Sequence, residues 1–161
     1  MLQPGDKAPD FTLPNHKRER IALADLRGKT VVLAFFPAAF TGVCEKELCS
    51  FRDSLAALND LNATVLGVSV DAPFSNAAFA ERNQLNFALL SDYNREAVRA
   101  YGVAHDDFAG LPGYTAAKRS VFVIDAGGSI HYAWIAPNPG VEPSYDEVQK
   151  AVASAGASTQ A

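Results

Sequence analysis

Cysteine is scarce in this chain: 161 residues hold two of them, beside one methionine, one tryptophan and three histidines. Two thiols are too few for a disulfide framework, and a core of this length does not need one. The histidines, His16, His105 and His131, have no metal-ligand spacing, so neither a metal nor another cofactor is expected. Positive charge is also short. Fourteen Lys and Arg stand against eighteen Asp and Glu, a net charge of −4, which makes nucleic acid and anionic lipid poor partners. The longest apolar run, Val31 to Phe36, is strand-sized and far too short to span a membrane. The stretch Met1 to Asp6 lacks the basic flank and apolar core of a secretion signal, so a cytoplasmic location is expected. No repeat or linker divides the chain. One domain over residues 1–161 is expected, with 154–161 as a frayed tail.

What is present reads as strands alternating with helices. Val31–Phe36 is apolar throughout, the pattern of a strand buried on both faces, and Pro37 ends it. Thr41 suits a helix N-cap, and Cys44, Leu48, Phe51, Leu55 and Leu58 then recur at three- and four-residue steps. Ala63 to Val70 predicts a second buried strand, Ser75 to Arg82 a helix, Phe87 to Leu90 a short strand, and Arg95 to Tyr101 another helix. Val121–Ile124, the turn Asp125 to Gly128 and Ile130–Ile135 form a hairpin. Ser144 to Glu147 is a capping box opening a last helix. An α/β fold with a mixed sheet follows. Residues 102–118 show no regular pattern, but their bulky apolar side chains (Phe108, Leu111, Tyr114) point to a binding loop. Lys17 to Arg20 reads as a solvated turn.

The two cysteines, Cys44 and Cys49, stand five positions apart. On spacing alone they could equally be small buried hydrophobes. The neighbours of Cys44 argue otherwise. With Thr41 at the N-cap, Cys44 is the third helical residue, where backbone N–H groups lack intrahelical partners. Those donors and the helix dipole favour a thiolate over a thiol. Gly42 permits close approach of a small ligand, and Pro37, having no N–H, can shield the sulfur without competing for it. Arg119 lies just before Val121–Ile124. If that strand runs antiparallel to Val31–Phe36, its start meets the end of the first strand, and Arg119 projects toward Cys44. A permanent cation there favours the thiolate and can hold an oxygen substrate. An arginine paired with a surface carboxylate is the competing reading.

The segment Phe36-Pro37-Ala38-Ala39-Phe40-Thr41-Gly42-Val43-Cys44 resembles the peroxiredoxin active-site signature, Pro-x-x-x-Thr/Ser-x-x-Cys. The likeness continues through Glu45-Lys46-Glu47-Leu48-Cys49-Ser50-Phe51-Arg52-Asp53. It is similar to the peroxiredoxin Q, or bacterioferritin comigratory protein, class, in which a second cysteine follows the first after four residues. The Phe-Phe-Pro-x-Ala-Phe-Thr-Gly-x-Cys wording also resembles alkyl hydroperoxide reductase E, a one-cysteine relative. Gly5 to Phe11, Leu89 to Asp92, Tyr101 to Val103 and Arg119 to Asp125 resemble further family segments, so the likeness covers nearly the whole chain in order.

The resemblance implies a thioredoxin-like fold and a thiol-dependent peroxidase acting on hydrogen peroxide and organic hydroperoxides. It makes Cys44 the peroxidatic cysteine, Cys49 the resolving one, Thr41 the hydroxyl that positions peroxide, Pro37 the shield, Arg119 the activating arginine and Glu47 the carboxylate that orients it. The implied reductant is thioredoxin or a glutaredoxin-like dithiol, and the family includes monomers and homodimers. A one-cysteine cycle, and a non-catalytic peroxide sensor or holdase, remain alternatives. A disulfide oxidoreductase would carry Cys-x-x-Cys, which is not the spacing here. In one regular helix, residues five apart have Cα atoms roughly 8.7 Å apart, beyond the ~6.8 Å limit of a disulfide. A Cys44–Cys49 bond therefore requires the helix start to unwind.

Overall fold

Residues 2–160 are described in a computed structural model of the chain. Thr12–Pro14 (β1) pairs antiparallel with Arg20–Ala22 (β2). The turn between them closes on Asn15, whose Oδ1 accepts the N–H groups of Lys17 and Glu19, and Lys17, Arg18 and Arg20 are exposed as expected. Every residue of Thr30–Phe35 (β3) is buried. Val31, Leu33 and Phe35 join one apolar cluster, whereas Val32, Ala34 and then Phe36 join another on the opposite face. That division explains a strand with no alternating polar residues.

Gly42–Asp60 (α1) leads to Ala63–Ser69 (β4), which lies parallel to β3 with Val32 opposite Val65. Leu48, Phe51 and Leu58 of α1 are buried, while the Leu55 side chain lies outside those described. Pro73–Arg82 (α2), with proline in its first turn, precedes Ala88–Ser91 (β5), parallel to β4. Glu96–Ala100 (α3) is followed by a small antiparallel pair, Ala104–His105 (β6) and Ala116–Ala117 (β7). Ser120–Ile124 (β8) turns into Ile130–Ile135 (β9), and Tyr145–Gln160 (α4) ends the described chain.

The main sheet runs β5-β4-β3-β8-β9, with β8 antiparallel to β3 and to β9. The expected mixed sheet is therefore present. Residues of α1, α2 and α4 pack on one face, and those of α3, the N-terminal segment and the β6–β7 pair on the other. Two expectations need correction. The tail beginning at Ser154 is helical through Gln160: Ala155 is fully buried against the core and His131 Nε2 lies 3.0 Å from Ser154 Oγ. Ala161 lies outside the described residues. The segment 102–118 is not patternless, since it carries β6, β7 and a 3-10 turn at Phe108–Gly110. Two-residue strands are too short for periodicity to reveal.

Candidate active site

The site forms where β3 ends and α1 begins. Phe35 lies opposite Ser120 in the β3–β8 register, so Arg119 stands beside the chain as it leaves the sheet. This is the placement expected from an antiparallel β8. The connecting loop is tied to the end of β4 by Ala39 N–H, which donates to Asp71 Oδ2 at 2.8 Å. Pro37 is buried, and Phe40 takes φ = +65° with its ring packed edge-on against Phe79, 5.3 Å between centroids. A non-glycine residue in the left-handed region costs energy, and here the ring contact and a guanidinium from Arg82 over the Phe40 face help to hold it.

Thr41 occupies the N-cap with extended backbone, φ −100° and ψ 141°. Its hydroxyl does not cap the helix. It turns back and donates to the Ala38 carbonyl at 2.9 Å, which leaves its oxygen lone pairs free to accept from a bound molecule. The first α1 hydrogen bond runs from Glu45 N–H to Thr41 O, so the N–H groups of Val43 and Cys44 precede the intrahelical ladder.

Cys44 is wholly buried, and the Arg119 guanidinium converges on it. Arg119 Nη2 donates to Cys44 Sγ at 3.1 Å, Nη1 to Glu47 Oε1 at 3.3 Å and Nε to the Pro139 carbonyl at 3.1 Å. Arg119 itself is 2% exposed. The surface-pair reading of this arginine is excluded, because its carboxylate partner is Glu47, buried one turn beyond Cys44. Pro139 was not among the residues singled out from sequence. It acts through a backbone carbonyl in the turn Pro137-Asn138-Pro139-Gly140, closed by Gly140 N–H on Asn138 Oδ1 at 3.0 Å. A carbonyl leaves no mark in the residue type. Phe108, from the expected binding loop, lines a cavity of about 260 Å³ with Pro37, Thr41, Val43, Arg119 and Pro139. The loop thus reaches the site.

Glu47 carries an unusual burden. Burial pushes its carboxyl up to about 8 from 4.5, opposed by the adjacent Arg119 charge, and Oε2 has no hydrogen-bond partner among the described residues. A carboxyl favoured in its neutral form by folding contributes stability below its unfolded pKa and loses it as pH rises to the folded value. Between pH 4.5 and 8 the folded chain therefore loses stability from this group, on the order of a few kcal/mol. Glu47→Gln, which keeps an oxygen for Arg119 and cannot ionise, should melt with a flatter pH dependence over that window. Parallel slopes for the two proteins in thermal melts from pH 5 to 8 would show that Glu47 is ionised throughout.

Cys49 is half-buried and lies on the continuous helix, and both cysteines are free thiols. Its Sγ lies 3.6 Å from Asn83 Oδ1. The three histidines are apart: His16 Nδ1 accepts Leu89 N–H, His105 packs edge-on to Phe108, and His131 meets Ser154. Among the described residues no three His, Cys, Asp or Glu are grouped to hold a metal, and no helix is long and apolar enough to cross a membrane. The arrangement suits a buried thiolate attacking a small polar molecule that fits beside a guanidinium and helix N–H groups.

Comparison with known proteins agrees with that chemistry. The AhpC/TSA family model matches residues 4–133. A putative peroxiredoxin of Mycobacterium tuberculosis strain H37Rv is 41% identical over 129 residues, 80% of this chain and 82% of that protein. Peroxiredoxin Bcp of Escherichia coli K12 is 37% identical over 134 residues, 83% of this chain and 85% of its own. The crystal structure of peroxidoxin BcpB from Mycobacterium tuberculosis superposes with a TM-score of 0.82 at 31% identity, covering 98% of each chain. The mixed sheet and its helices are thus the thioredoxin-like fold of these proteins. With the signature from Pro37 to Cys44 gathered around a buried arginine and the match spanning most of the sequence, the chain belongs to the AhpC/TSA family of peroxiredoxins, which are thiol-dependent peroxidases.

Proposed function

We propose that Cys44 is the peroxidatic cysteine and Cys49 the resolving one in a cycle closed by thioredoxin or a glutaredoxin-like dithiol. The reading rests on one observation above the others: Arg119 Nη2 at 3.1 Å from Cys44 Sγ, with both side chains buried. The Cys44 thiolate attacks one oxygen of a hydroperoxide, the O–O bond breaks, and the departing oxygen leaves with a proton as water or alcohol. Arg119 and the first α1 N–H groups stabilise the charge that develops on the oxygens. Thr41 orients the peroxide, Pro37 excludes water, and Glu47 and Pro139 orient Arg119. Cys44 is left as a sulfenic acid, which condenses with the Cys49 thiol to a disulfide and water. Exchange with the external dithiol restores both thiols. The whole chain acts as one domain, and two free thiols suit a reducing compartment such as the cytoplasm.

A one-cysteine cycle is the second reading, favoured by the regular helix that carries both cysteines. The roughly 8.7 Å between their Cα atoms in such a helix forbids the bond in place. Resolution therefore needs the first turns of α1 to open, and helix ends open at low cost. Peroxide-treated protein should show an intramolecular Cys44–Cys49 disulfide by mass spectrometry, with a small loss of helical circular dichroism. Amide exchange should quicken from Val43 to Phe51. A disulfide with unchanged exchange would refute unwinding, and undiminished turnover of Cys49→Ser with thioredoxin would establish the one-cysteine cycle.

A further inference from the structure

Asn83 follows the last residue of α2 and faces α1 with two different acceptors. Its side-chain Oδ1 is 3.6 Å from Cys49 Sγ, and its backbone carbonyl accepts Arg52 Nη1 at 2.6 Å. The amide has only one possible orientation. Its other atom lies 3.0 Å from the Phe79 carbonyl, which can only accept, so that atom is Nδ2 and the oxygen must face the thiol. An amide oxygen accepts an S–H, so this contact holds the Cys49 side chain against α2. The Arg52 contact sits one turn further along α1, and its guanidinium lies close enough to Cys49 to interact with it electrostatically. When the helix start opens, the side-chain contact must break, whereas the Arg52 contact can persist and hold the rest of α1 on α2.

We propose that Asn83 is a positioning residue for resolution: its side chain holds the Cys49 S–H against α2 until Cys44 is oxidised and the start of α1 opens, while its backbone carbonyl anchors α1 at Arg52. The proposal rests on Cys49 being the resolving cysteine. The step it governs is the condensation already balanced above, in which the Cys44 S–O bond breaks, the S–S bond forms, and the Cys49 proton leaves with the hydroxyl as water. Asn83 lies outside the peroxide cavity, so sulfenic acid formation should be indifferent to it.

The test follows oxidised Cys44 in quenched samples by mass spectrometry, measuring both the rate of disulfide formation and the fraction diverted to sulfinic acid at high peroxide. Asn83→Ala, which removes the acceptor, should speed disulfide formation about fivefold, the factor set by one ordinary hydrogen bond, and lower the sulfinic fraction. Asn83→Asp, whose carboxylate accepts the S–H more strongly, should slow the same step and raise that fraction. Opposite signs from the two variants at an unchanged rate of sulfenic acid formation are a pattern that simple loosening of α2 does not produce. Equal disulfide rates in wild type and both variants, or the same sign in both, would overturn the proposal while leaving the two-cysteine cycle standing. Absence of any Cys44–Cys49 disulfide in oxidised wild type would overturn both. A measurement without change at Asn83 guards against misfolding of the variants. In Cys44→Ser protein, iodoacetamide should modify Cys49 at least about fivefold more slowly than it modifies the same chain in denaturant, and equal rates would count against retention of the thiol.

Discussion

Cys44→Ser should abolish peroxide turnover while the protein remains folded. The serine oxygen occupies nearly the same volume, so the buried junction of β3 and α1 keeps its packing. The Arg119 guanidinium can still donate to it in place of the sulfur, which it reaches at 3.1 Å in the native site. What disappears is the nucleophile. A serine hydroxyl holds its proton at any pH where the chain is folded, and the guanidinium that contacts this position favours an anion already formed but does not accept a proton. Thiol-dependent peroxide consumption should therefore fall to the uncatalysed rate, with circular dichroism and melting temperature near those of the native chain. Substantial turnover by the folded variant would place the reacting cysteine elsewhere.

Arg119→Met should slow formation of the Cys44 sulfenic acid by on the order of 10²–10³-fold, the usual cost of removing one donor from a charge-stabilising site. Three contacts are lost together: those to Cys44, to Glu47 and to the Pro139 carbonyl. Methionine fills similar space without charge, so the cavity wall shared with Phe108 and Pro37 should persist. Breaking a buried ion pair from one side ordinarily costs about 3–5 kcal/mol, because the remaining charge is stranded. Here the stranded partner can escape by taking a proton, since burial already raises the Glu47 carboxyl to about 8. The stability loss should therefore be small near pH 6 and grow toward pH 9. The double variant Arg119→Met, Glu47→Gln should regain the stability lost at high pH but none of the lost rate. Quenched-flow mass spectrometry reads the rate and thermal melts at the two pH values read the stability. A near-native rate for Arg119→Met would mean that the helix N–H groups stabilise the transition state unaided.

Local pattern alone located the elements that matter. The apolar run of β3, the three- and four-residue spacing after Thr41 and the turn between β8 and β9 were legible because each depends on neighbours in sequence. Cys44 as the third residue of α1 follows from the same logic, as does Arg119 at the head of an antiparallel strand. The Pro37-to-Cys44 wording then named the chemistry. Tertiary structure decided the rest, because the deciding contacts join residues far apart in the chain and several use backbone atoms. The Pro139 carbonyl that fixes Arg119 has no side-chain signature, and the Asn83 contacts cross from α2 to α1. Glu47 reads in sequence as an ordinary helix-surface acid. Only packing of α1 onto the sheet, with Arg119 arriving 72 residues later, buries it beside one cation that it shares with Cys44. Thr41 stands at the N-cap as its residue type suggests, but only the fold shows that its hydroxyl bonds Ala38 rather than a helix N–H. Sequence determined which atoms could react, and the fold determined which of them meet, because desolvation and shared charge exist only once distant segments are packed together.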